Sequence, residues 1–216
     1  MLAASLGAPG SPLRILALGA HCDDIEIGCG GSLLRLLSER PGSSVHYTVF
    51  SSTPDRAREA KAAAGEMLAG AARAEVQILS FRESFFPYEG AAIKEQFEHL
   101  KREVQPDLIF THRVRDLHQD HRTVAELTWN TFRDHLIAEY EIAKFEGDLG
   151  QPGLFVPLTR AQAEQKIGLI TRHYASQASR RWFRAGTFEA LLRLRGIECN
   201  APEHFAEAFD VRKLVL

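Results

Sequence analysis

A buried strand followed at once by an acidic, histidine-containing turn occupies residues 13–24, Leu13-Arg14-Ile15-Leu16-Ala17-Leu18-Gly19-Ala20-His21-Cys22-Asp23-Asp24. A second apolar run, 107–111, is followed a few residues later by Asp116-Leu117-His118-Gln119-Asp120-His121. In an open parallel sheet, ligands bind beyond the carboxyl ends of the strands, where the strand order reverses. The two clusters therefore predict one crevice in which imidazoles and carboxylates meet, an arrangement typical of a metal-dependent hydrolase.

The rest of the chain alternates short apolar runs with helical patterns, which predicts βαβ units and a mainly parallel sheet in an α/β fold. Strands are expected at residues 13–19, 45–50, 74–79, 107–111, 135–142 and 205–215. Helices are expected at residues 31–41, 53–71, 93–104, 122–134, 160–174 and 188–195. The aromatic segment 80–90 and the Gly/Pro-rich segment 144–157 are predicted to be loops. No repeat divides the chain, so residues 1–216 are predicted to form a single domain with a flexible leader at 1–12.

The composition argues against several classes of partner. A formal charge of -2 without a concentrated basic face predicts neither nucleic-acid binding nor binding to an acidic membrane surface. The apolar runs are shorter than the ~20 residues that span a bilayer, and the N-terminus lacks the charged start of a signal peptide. The three cysteines are odd in number and form no CxxC pair, which indicates a reduced, cytoplasmic setting.

Three residues of the two clusters are candidate metal ligands. A catalytic zinc typically has three His or carboxylate ligands and one exchangeable water. His21 and Asp24 are three residues apart, so one turn can direct both side chains to the same ion, and His121 would be the third ligand from the other strand. Zn²⁺ is the expected metal, although a site with two His and one Asp also accepts Fe²⁺ or Co²⁺.

The remaining polar residues supply acid and base groups around such an ion. Asp23 is placed to accept a proton from the bound water. His118, in its protonated form, is a candidate to stabilise the oxyanion, and Asp116 and Asp120 are candidates to hold the imidazoles in the required tautomer.

Structural roles compete with these interpretations. Asp23 or Asp24 can simply cap a helix that starts near Gly31, and His112 at the end of its strand is interpreted as a structural histidine. The nearby glycines do not complete a GxGxxG motif, so they indicate a tight turn and close helix packing rather than a dinucleotide site.

These clusters resemble the signatures of the PIG-L/LmbE-like N-deacetylases. Residues 20–31, Ala-His-Cys-Asp-Asp-Ile-Glu-Ile-Gly-Cys-Gly-Gly, are similar to the family pattern A-H-P-D-D-E-x-x-G-x-G-G. Residues 112–121 are similar to its pattern H-x-x-x-D-x-H-x-D-H, and Arg56, Glu59 and Ala63 fit R-x-x-E-x-x-x-A.

The resemblance implies a Rossmann-like three-layer fold and a zinc-dependent deacetylase that acts on N-acetylglucosamine-type sugars or their conjugates. It assigns His21, Asp24 and His121 to the metal, Asp23 to the general base and His118 to the oxyanion.

The resemblance also implies roles around these groups. By the same comparison of patterns, Asp120 orients His118, and Arg56 contacts the substrate. A homo-oligomer can form, as it often does among proteins of this family.

The chain departs from the family pattern at three places. Cys22 replaces the usual proline, and Ile25 replaces the usual acidic residue, but neither change removes a metal ligand. Residues 84–88 do not match the P-D-G segment that lies near the sugar in the family. The substrate is therefore less determined than the reaction, and two alternatives stay open: amide cleavage of a non-sugar or thiol conjugate, and a non-catalytic metal-binding protein that kept the fold.

Overall fold

The computed structural model describes residues 5–215, so residues 1–4 of the expected leader lie outside the described part. The strands are β1 (Arg14–Gly19), β2 (Ser44–Val49), β3 (Arg73–Ile78), β4 (Leu108–His112), β5 (Leu136–Tyr140), β6 (Leu154–Leu158) and β7 (Phe205–Asp210). The α-helices are α1 (Asp24–Glu39), α2 (Pro54–Met67), α3 (Gly90–Glu103), α4 (Gln119–Thr131), α5 (Arg160–His173) and α6 (Ala185–Glu198). Short 3-10 turns occupy Phe86–Tyr88 and Ala175–Gln177.

The strands form one sheet in the order β3-β2-β1-β4-β5-β7-β6. The first five positions pair in parallel, whereas β7 is antiparallel to both β5 and β6. The chain builds outward from β1 to β2 and β3, then returns to add β4 on the other side of β1. The order therefore reverses between β1 and β4. The parallel pairing of the first five strands in the sheet confirms the predicted α/β fold with a mainly parallel sheet.

Two hydrophobic cores cover the two faces of the sheet, because successive side chains of a strand point to opposite faces. Ile15 and Ala17 of β1 pack in the core formed with α1, α2 and α5, while Leu16 and Leu18 pack in the core formed with α3 and α4. The result is the expected three-layer arrangement, with β1 buried at its centre.

Helix α1 begins at Asp24, seven residues before the start predicted from the sequence. Asp23 occupies the N-cap position, and its side chain makes no capping hydrogen bond. The glycines obscured this start, because each one costs a helix about 1 kcal/mol relative to alanine. Packing compensates: an ideal Cβ on Gly28 would overlap the ring of Tyr140, so the helix approaches β5 closely only with glycine there.

A buried ion pair holds the middle of α1. Lys166 of α5 donates to the carbonyl oxygen of Ile27 (2.6 Å) and pairs with the carboxylate of Glu207 on β7. The same carboxylate accepts the backbone N–H groups of Gly31 (2.8 Å) and Ser32 (2.7 Å). Both charges are therefore satisfied, and α1 is fixed to the helix and strand that lie over it.

Two other predictions from the sequence need correction. The segment 144–157 is not entirely loop, because β6 begins at Leu154 and pairs with β7. This strand was missed because it lacks the alternation of apolar and polar residues that marks a strand and contains Pro157, which is tolerated only because β6 lies at the sheet edge. The last strand ends at Asp210 rather than continuing to 215.

The chain before β1 contacts the body of the protein. The Arg40 guanidinium donates to the carbonyl oxygens of Ser11 (2.9 Å) and Ala8 (3.3 Å). Among the helices within residues 5–215, none combines the length and the apolar character needed to cross a membrane.

The close approach at Gly28 gives a direct test of the packing. We expect Gly28→Ala to lower the free energy of unfolding by about 1–3 kcal/mol, because the new methyl group overlaps the buried Tyr140 ring. Gly65→Ala is the matched control: a Cβ on this α2 glycine meets no atom within 4 Å, so we expect stabilisation of up to about 1 kcal/mol. Urea unfolding followed by circular dichroism measures both, and equal effects of the two substitutions would contradict the close approach.

Candidate active site

The two clusters meet at the carboxyl ends of β1 and β4, where the strand order reverses. The chain leaves β1 at Gly19, passes through His21 and turns into α1 at Asp24. It leaves β4 at His112, and a short loop leads to α4, whose N-cap is His118. Because β1 and β4 are neighbours in the sheet, the loops after them lie side by side, as the sequence predicts.

His21, Asp24 and His121 form a triangle of potential ligand atoms. His21 Nδ1 lies 3.2 Å from His121 Nε2 and 3.4 Å from Asp24 Oδ2, and His121 Nε2 lies 3.5 Å from Asp24 Oδ1. Bond lengths of 2.0–2.1 Å in a tetrahedral zinc site imply ligand atoms separated by about 3.3–3.4 Å. The Asp24 oxygen near His21 is not the one near His121, and among the described residues the ligand atoms that lie within 4.8 Å of one another belong to His21, His118 and His121 or to Asp24, His112 and His121. The donors of this cluster therefore suit a divalent metal ion in more than one combination.

A carboxylate lies behind each of the two histidines. His21 Nε2 is 3.3 Å from Asp120 Oδ2, and His121 Nδ1 is 3.0 Å from Asp116 Oδ2. Each carboxylate accepts the proton of the nitrogen that it contacts, His21 Nε2 or His121 Nδ1 (the rear nitrogens). The other nitrogen of each ring, His21 Nδ1 or His121 Nε2 (the forward nitrogen), then carries the lone pair that a metal needs. Asp116 also accepts the backbone N–H of His118 (2.8 Å), which fixes the loop before α4.

Burial and neighbouring charges set the protonation of the three residues. Burial lowers the pKa of His121 to about 3, helped by the charge of His112, so this imidazole is neutral. Burial also opposes protonation of His21, but hydrogen bonds with Asp120 and Asp24 outweigh it and raise the pKa to about 10. Burial likewise opposes ionisation of Asp24, yet the surrounding imidazoles hold the pKa of this carboxyl well below its usual value. The cluster therefore contains one excess proton, which a metal ion would replace.

Asp23 lies beside the cluster and pairs with Arg56. The Arg56 Nη2 is 2.8 Å from Asp23 Oδ1, and both side chains are largely buried. Burial raises the pKa of Asp23, and the Arg56 charge opposes that increase. Arg56, which the resemblance assigns to the substrate, thus contacts the candidate base directly.

His118 also faces the cluster, with its ring 5.0 Å from that of His21 and 4.5 Å from that of His121. Burial, followed by the charge of His21, lowers the pKa of His118. Its Nδ1 accepts the backbone N–H of Asp120 (3.2 Å), so a neutral ring has its N–H at Nε2. A neutral imidazole, rather than the protonated one expected from the sequence, is the form that this environment favours.

Asp120 makes different contacts from those expected. The resemblance gives its carboxylate the role of orienting His118, whereas in the structure the carboxylate contacts His21 and only the backbone N–H of Asp120 reaches His118. The carboxylate also accepts the N–H groups of Ser84 (2.6 Å) and Phe86 (3.2 Å). Asp120 therefore connects the loop after β3 to the candidate metal site.

The sequence predicts a structural role for His112, whereas the structure places it in contact with the cluster. His112 Nε2 is 3.1 Å from Asp24 Oδ2, 3.2 Å from the Tyr140 hydroxyl and 3.0 Å from the backbone nitrogen of Ala20. His112 Nε2 accepts the backbone N–H of Ala20, and the Tyr140 hydroxyl donates to the carbonyl oxygen of Leu18 (2.6 Å). The available signal was the place of His112 as the first residue of the second motif, at the end of β4.

Lys144 is a second residue that the sequence did not indicate. Its ammonium group contacts Asp116 Oδ1 (3.1 Å) and both carboxylate oxygens of Asp148 (2.6 and 2.7 Å), and all three side chains are buried. Asp148 also accepts the backbone N–H of Leu117 (2.7 Å). The loop after β5 is thereby attached to the loop that bears His118.

A profile of the PIG-L family, described as GlcNAc-PI de-N-acetylase, matches residues 16–132, which is more than half of the chain and includes both clusters. The chain belongs to the PIG-L family. None of the curated proteins compared with it gives a significant match.

Solved structures share the PIG-L fold of this chain. The conserved protein TT1542 from Thermus thermophilus is 21% identical, with a TM-score of 0.73 over 94% of this chain and 96% of that one. N,N'-diacetylchitobiose deacetylase from Pyrococcus horikoshii is 18% identical, with a TM-score of 0.69 over 92% and 83%. GalB, the 4-carboxy-2-hydroxymuconate hydratase from Pseudomonas putida, is 16% identical, with a TM-score of 0.74 over 94% and 97%. At these identities the likeness concerns the fold.

Glu26, in the first turn of α1, gives a pH-dependent test of this region. Burial raises the pKa of Glu26 to about 8. The hydrogen bond that the Tyr47 hydroxyl donates to the carboxylate (3.0 Å) lowers the pKa but does not offset the effect of burial. The folded protein keeps this carboxyl protonated while the unfolded chain ionises it near pH 4.5, so its contribution to stability falls as the pH rises from about 5 to 8.

We therefore expect Glu26→Gln to gain stability over the wild type across this pH range, reaching on the order of 2–4 kcal/mol at pH 8. Urea unfolding of the metal-free protein at several pH values measures the difference. Glu95→Gln changes an exposed helical glutamate and is the control, since it should show no such trend. A difference between Glu26→Gln and wild type that does not vary with pH would refute the neutral buried carboxyl.

Proposed function

We propose that the chain is a metal-dependent hydrolase that removes the acetyl group from an N-acetylated amino sugar or sugar conjugate. The observation that carries the proposal is the set of groups around the three-ligand triangle in a chain of the PIG-L family. A site that only binds a metal needs no buried carboxylate beside it and no imidazole facing it, whereas this site has both Asp23 and His118.

His21, Asp24 and His121 would hold the ion, and Zn²⁺ or Fe²⁺ suits these donors. When bound, such an ion lowers the pKa of a coordinated water from 15.7 to about 7 and polarises a carbonyl group. Asp116 and Asp120 accept the protons of the rear nitrogens, so that the forward nitrogens of the two histidines would face the ion.

The remaining groups perform the proton transfers and the charge stabilisation. Asp23 accepts the proton of the attacking water, and its raised pKa makes it a better proton acceptor. The Nε2–H of His118 donates a hydrogen bond to the amide oxygen as negative charge develops there. Asp23 then returns the proton to the departing amine, which leaves acetate and a free amino sugar. Arg56 keeps Asp23 in position and contacts the substrate.

The fold itself does not decide between reactions, because it also occurs in the hydratase from Pseudomonas putida. Amide cleavage in a non-sugar or thiol conjugate uses the same groups and remains the second candidate. Release of acetate from a panel of N-acetyl sugars, their glycosides and simple acetamides separates these cases. Metal-dependent release from acetamides but from no sugar would favour the amidase.

The proposal extends to the setting of the enzyme. The three cysteines of the chain, Cys22, Cys29 and Cys199, are all free thiols, which supports a location in the cytoplasm. The substrate would be a small molecule, and a homo-oligomer is part of the proposal on the basis of the family resemblance alone.

The role of Asp23 is tested by Asp23→Asn, which keeps the size of the side chain and removes the base. We expect kcat to fall about 100- to 10,000-fold with little change in bound metal. Asp55→Asn, an exposed acidic position on α2, is the control and should retain activity. Full activity of Asp23→Asn in coupled acetate assays would refute the assignment.

The role of Asp116 is tested through metal affinity rather than activity. Asp116→Asn weakens the hydrogen bond to His121 Nδ1. We therefore expect the affinity for Zn²⁺ to fall about 10- to 100-fold. Competition with a chromogenic chelator measures this loss, and Asp134→Asn, an exposed position beyond α4, is the control. Unchanged affinity in a folded Asp116→Asn protein would contradict the proposed ligand set.

A further inference from the structure

The loop between β4 and α4 (the β4–α4 loop) carries two groups of the candidate site. Asp116 Oδ2 lies 3.0 Å from His121 Nδ1, and His118 caps α4 with its ring 4.5 Å from that of His121. The loop is also held at a second point, because the backbone N–H of Val114 donates to Glu139 Oε2 (2.8 Å). Glu139 lies in β5, and its side chain is buried.

Glu139 binds the helix of His121 as well. The indole N–H of Trp129, which lies in α4, donates to Glu139 Oε1 (2.5 Å). The two oxygens of one carboxylate therefore hold the loop that bears Asp116 and the helix that bears His121. The hydrogen bond between Asp116 and His121 joins the same loop to the same helix. Glu139 thus fixes both partners of that bond through contacts other than the bond itself.

The sheet alone does not explain a carboxylate at this position. The backbone of Glu139 pairs with Thr111 of β4 and Asp210 of β7, and strand pairing needs no charged side chain. Burying a carboxylate is costly unless charges and hydrogen bonds compensate. The Arg212 guanidinium supplies the charge, with Nε 3.3 Å from Glu139 Oε1 and its central carbon 4.4 Å from the centre of the Trp129 ring. The carboxylate is therefore paired, and its neutral donors belong to the loop and the helix of the site.

We propose that Glu139 is a positioning residue for the candidate metal site. Its contacts with Val114 and Trp129 fix the β4–α4 loop relative to α4. The Asp116 carboxylate then stays within hydrogen-bond distance of His121 Nδ1, so the opposite nitrogen, Nε2, faces the ion. The inference rests on the proposed function, because it takes His121 as a metal ligand, and it adds a residue that acts through Asp116.

The Zn²⁺ affinity of the full chain, measured by competition with a chromogenic chelator, is the first test. Glu139→Gln keeps the size of the side chain but replaces one accepting oxygen with an NH₂ group, so the loop or the helix loses its acceptor. We expect the Zn²⁺ affinity to fall about five- to tenfold, less than in Asp116→Asn, because Glu139 acts one contact further from the ion. Trp129→Phe removes only the contact with α4 and should lower the affinity about three- to fivefold.

Thr128→Val is the matched control. Thr128 Oγ1 lies 3.0 Å from Thr111 Oγ1, so the substitution removes a buried hydrogen bond between α4 and β4 without touching the β4–α4 loop. We expect Thr128→Val to lower the free energy of unfolding, because a buried hydroxyl loses its partner, and to leave the Zn²⁺ affinity unchanged.

Proton exchange at His121 is a second test, which needs neither metal nor activity. In the metal-free protein the Nδ1–H of His121 is protected by its hydrogen bond to Asp116. NMR of the protein with ¹⁵N-labelled histidine follows the exchange of this proton with water. We expect Glu139→Gln to accelerate the exchange roughly fivefold, because the loop and the helix separate more often, and Thr128→Val to leave it unchanged.

The outcomes separate the role of Glu139 from the proposed function. Wild-type affinity or wild-type exchange in a folded Glu139→Gln protein overturns the inference, and so do equal losses in Glu139→Gln and Thr128→Val. If Glu139→Gln does not fold, Trp129→Phe decides by the same measurements. A wild type that binds Zn²⁺ but releases no acetate counts against the deacetylase alone, and lower affinity with faster exchange in Glu139→Gln then still supports the inference. A wild type that binds no Zn²⁺ overturns both.

Discussion

The forward nitrogens of two buried histidines, His21 and His121, face each other across 3.2 Å beside the carboxylate of Asp24. Two lone pairs at this distance repel, and a buried carboxylate without a counter-charge is costly, so the cluster requires a cation. In the absence of a metal, a proton on His21 supplies the charge, which explains its raised pKa. A divalent ion supplies more charge and satisfies all three groups at once. Much of the surrounding structure can be understood as a means of maintaining this arrangement.

Three elements keep the cluster together. Helix α1 supplies Asp24, and it lies close to β5 because Gly28 leaves room for Tyr140. The Tyr140 hydroxyl contacts His112 Nε2, and the same nitrogen contacts the Asp24 carboxylate. The ion pair of Lys166 and Glu207 fixes the same helix one turn further along. Packing that would otherwise stabilise only the fold therefore also sets the position of Asp24, a candidate metal ligand.

The sequence predicted the parts of the fold that depend on local pattern. Alternating apolar runs identified six strands, and the two clusters after β1 and β4 were correctly expected to meet. The start of α1 and the strand β6 were missed, because glycines and an edge proline conceal elements that tertiary contacts stabilise. The same limit applies to the site. His112 belongs to the second motif but was interpreted as structural, and Lys144 lies outside both motifs; their proximity to Asp24 and Asp116 follows from strand order and loop contact.

The loops around the cluster, rather than the cluster itself, distinguish this chain within its fold. The ligand triangle suits any reaction in which a metal activates water, and a hydratase and a deacetylase both occur among proteins of similar fold. What can reach the triangle depends on the loop after β3 and the loop after β5. Both contact carboxylates that hold candidate metal-ligand histidines, the first through Asp120 and the second through Lys144 and Asp116. Each loop is therefore connected to a candidate ligand histidine through one carboxylate, Asp120 for the loop after β3 and Asp116 for the loop after β5.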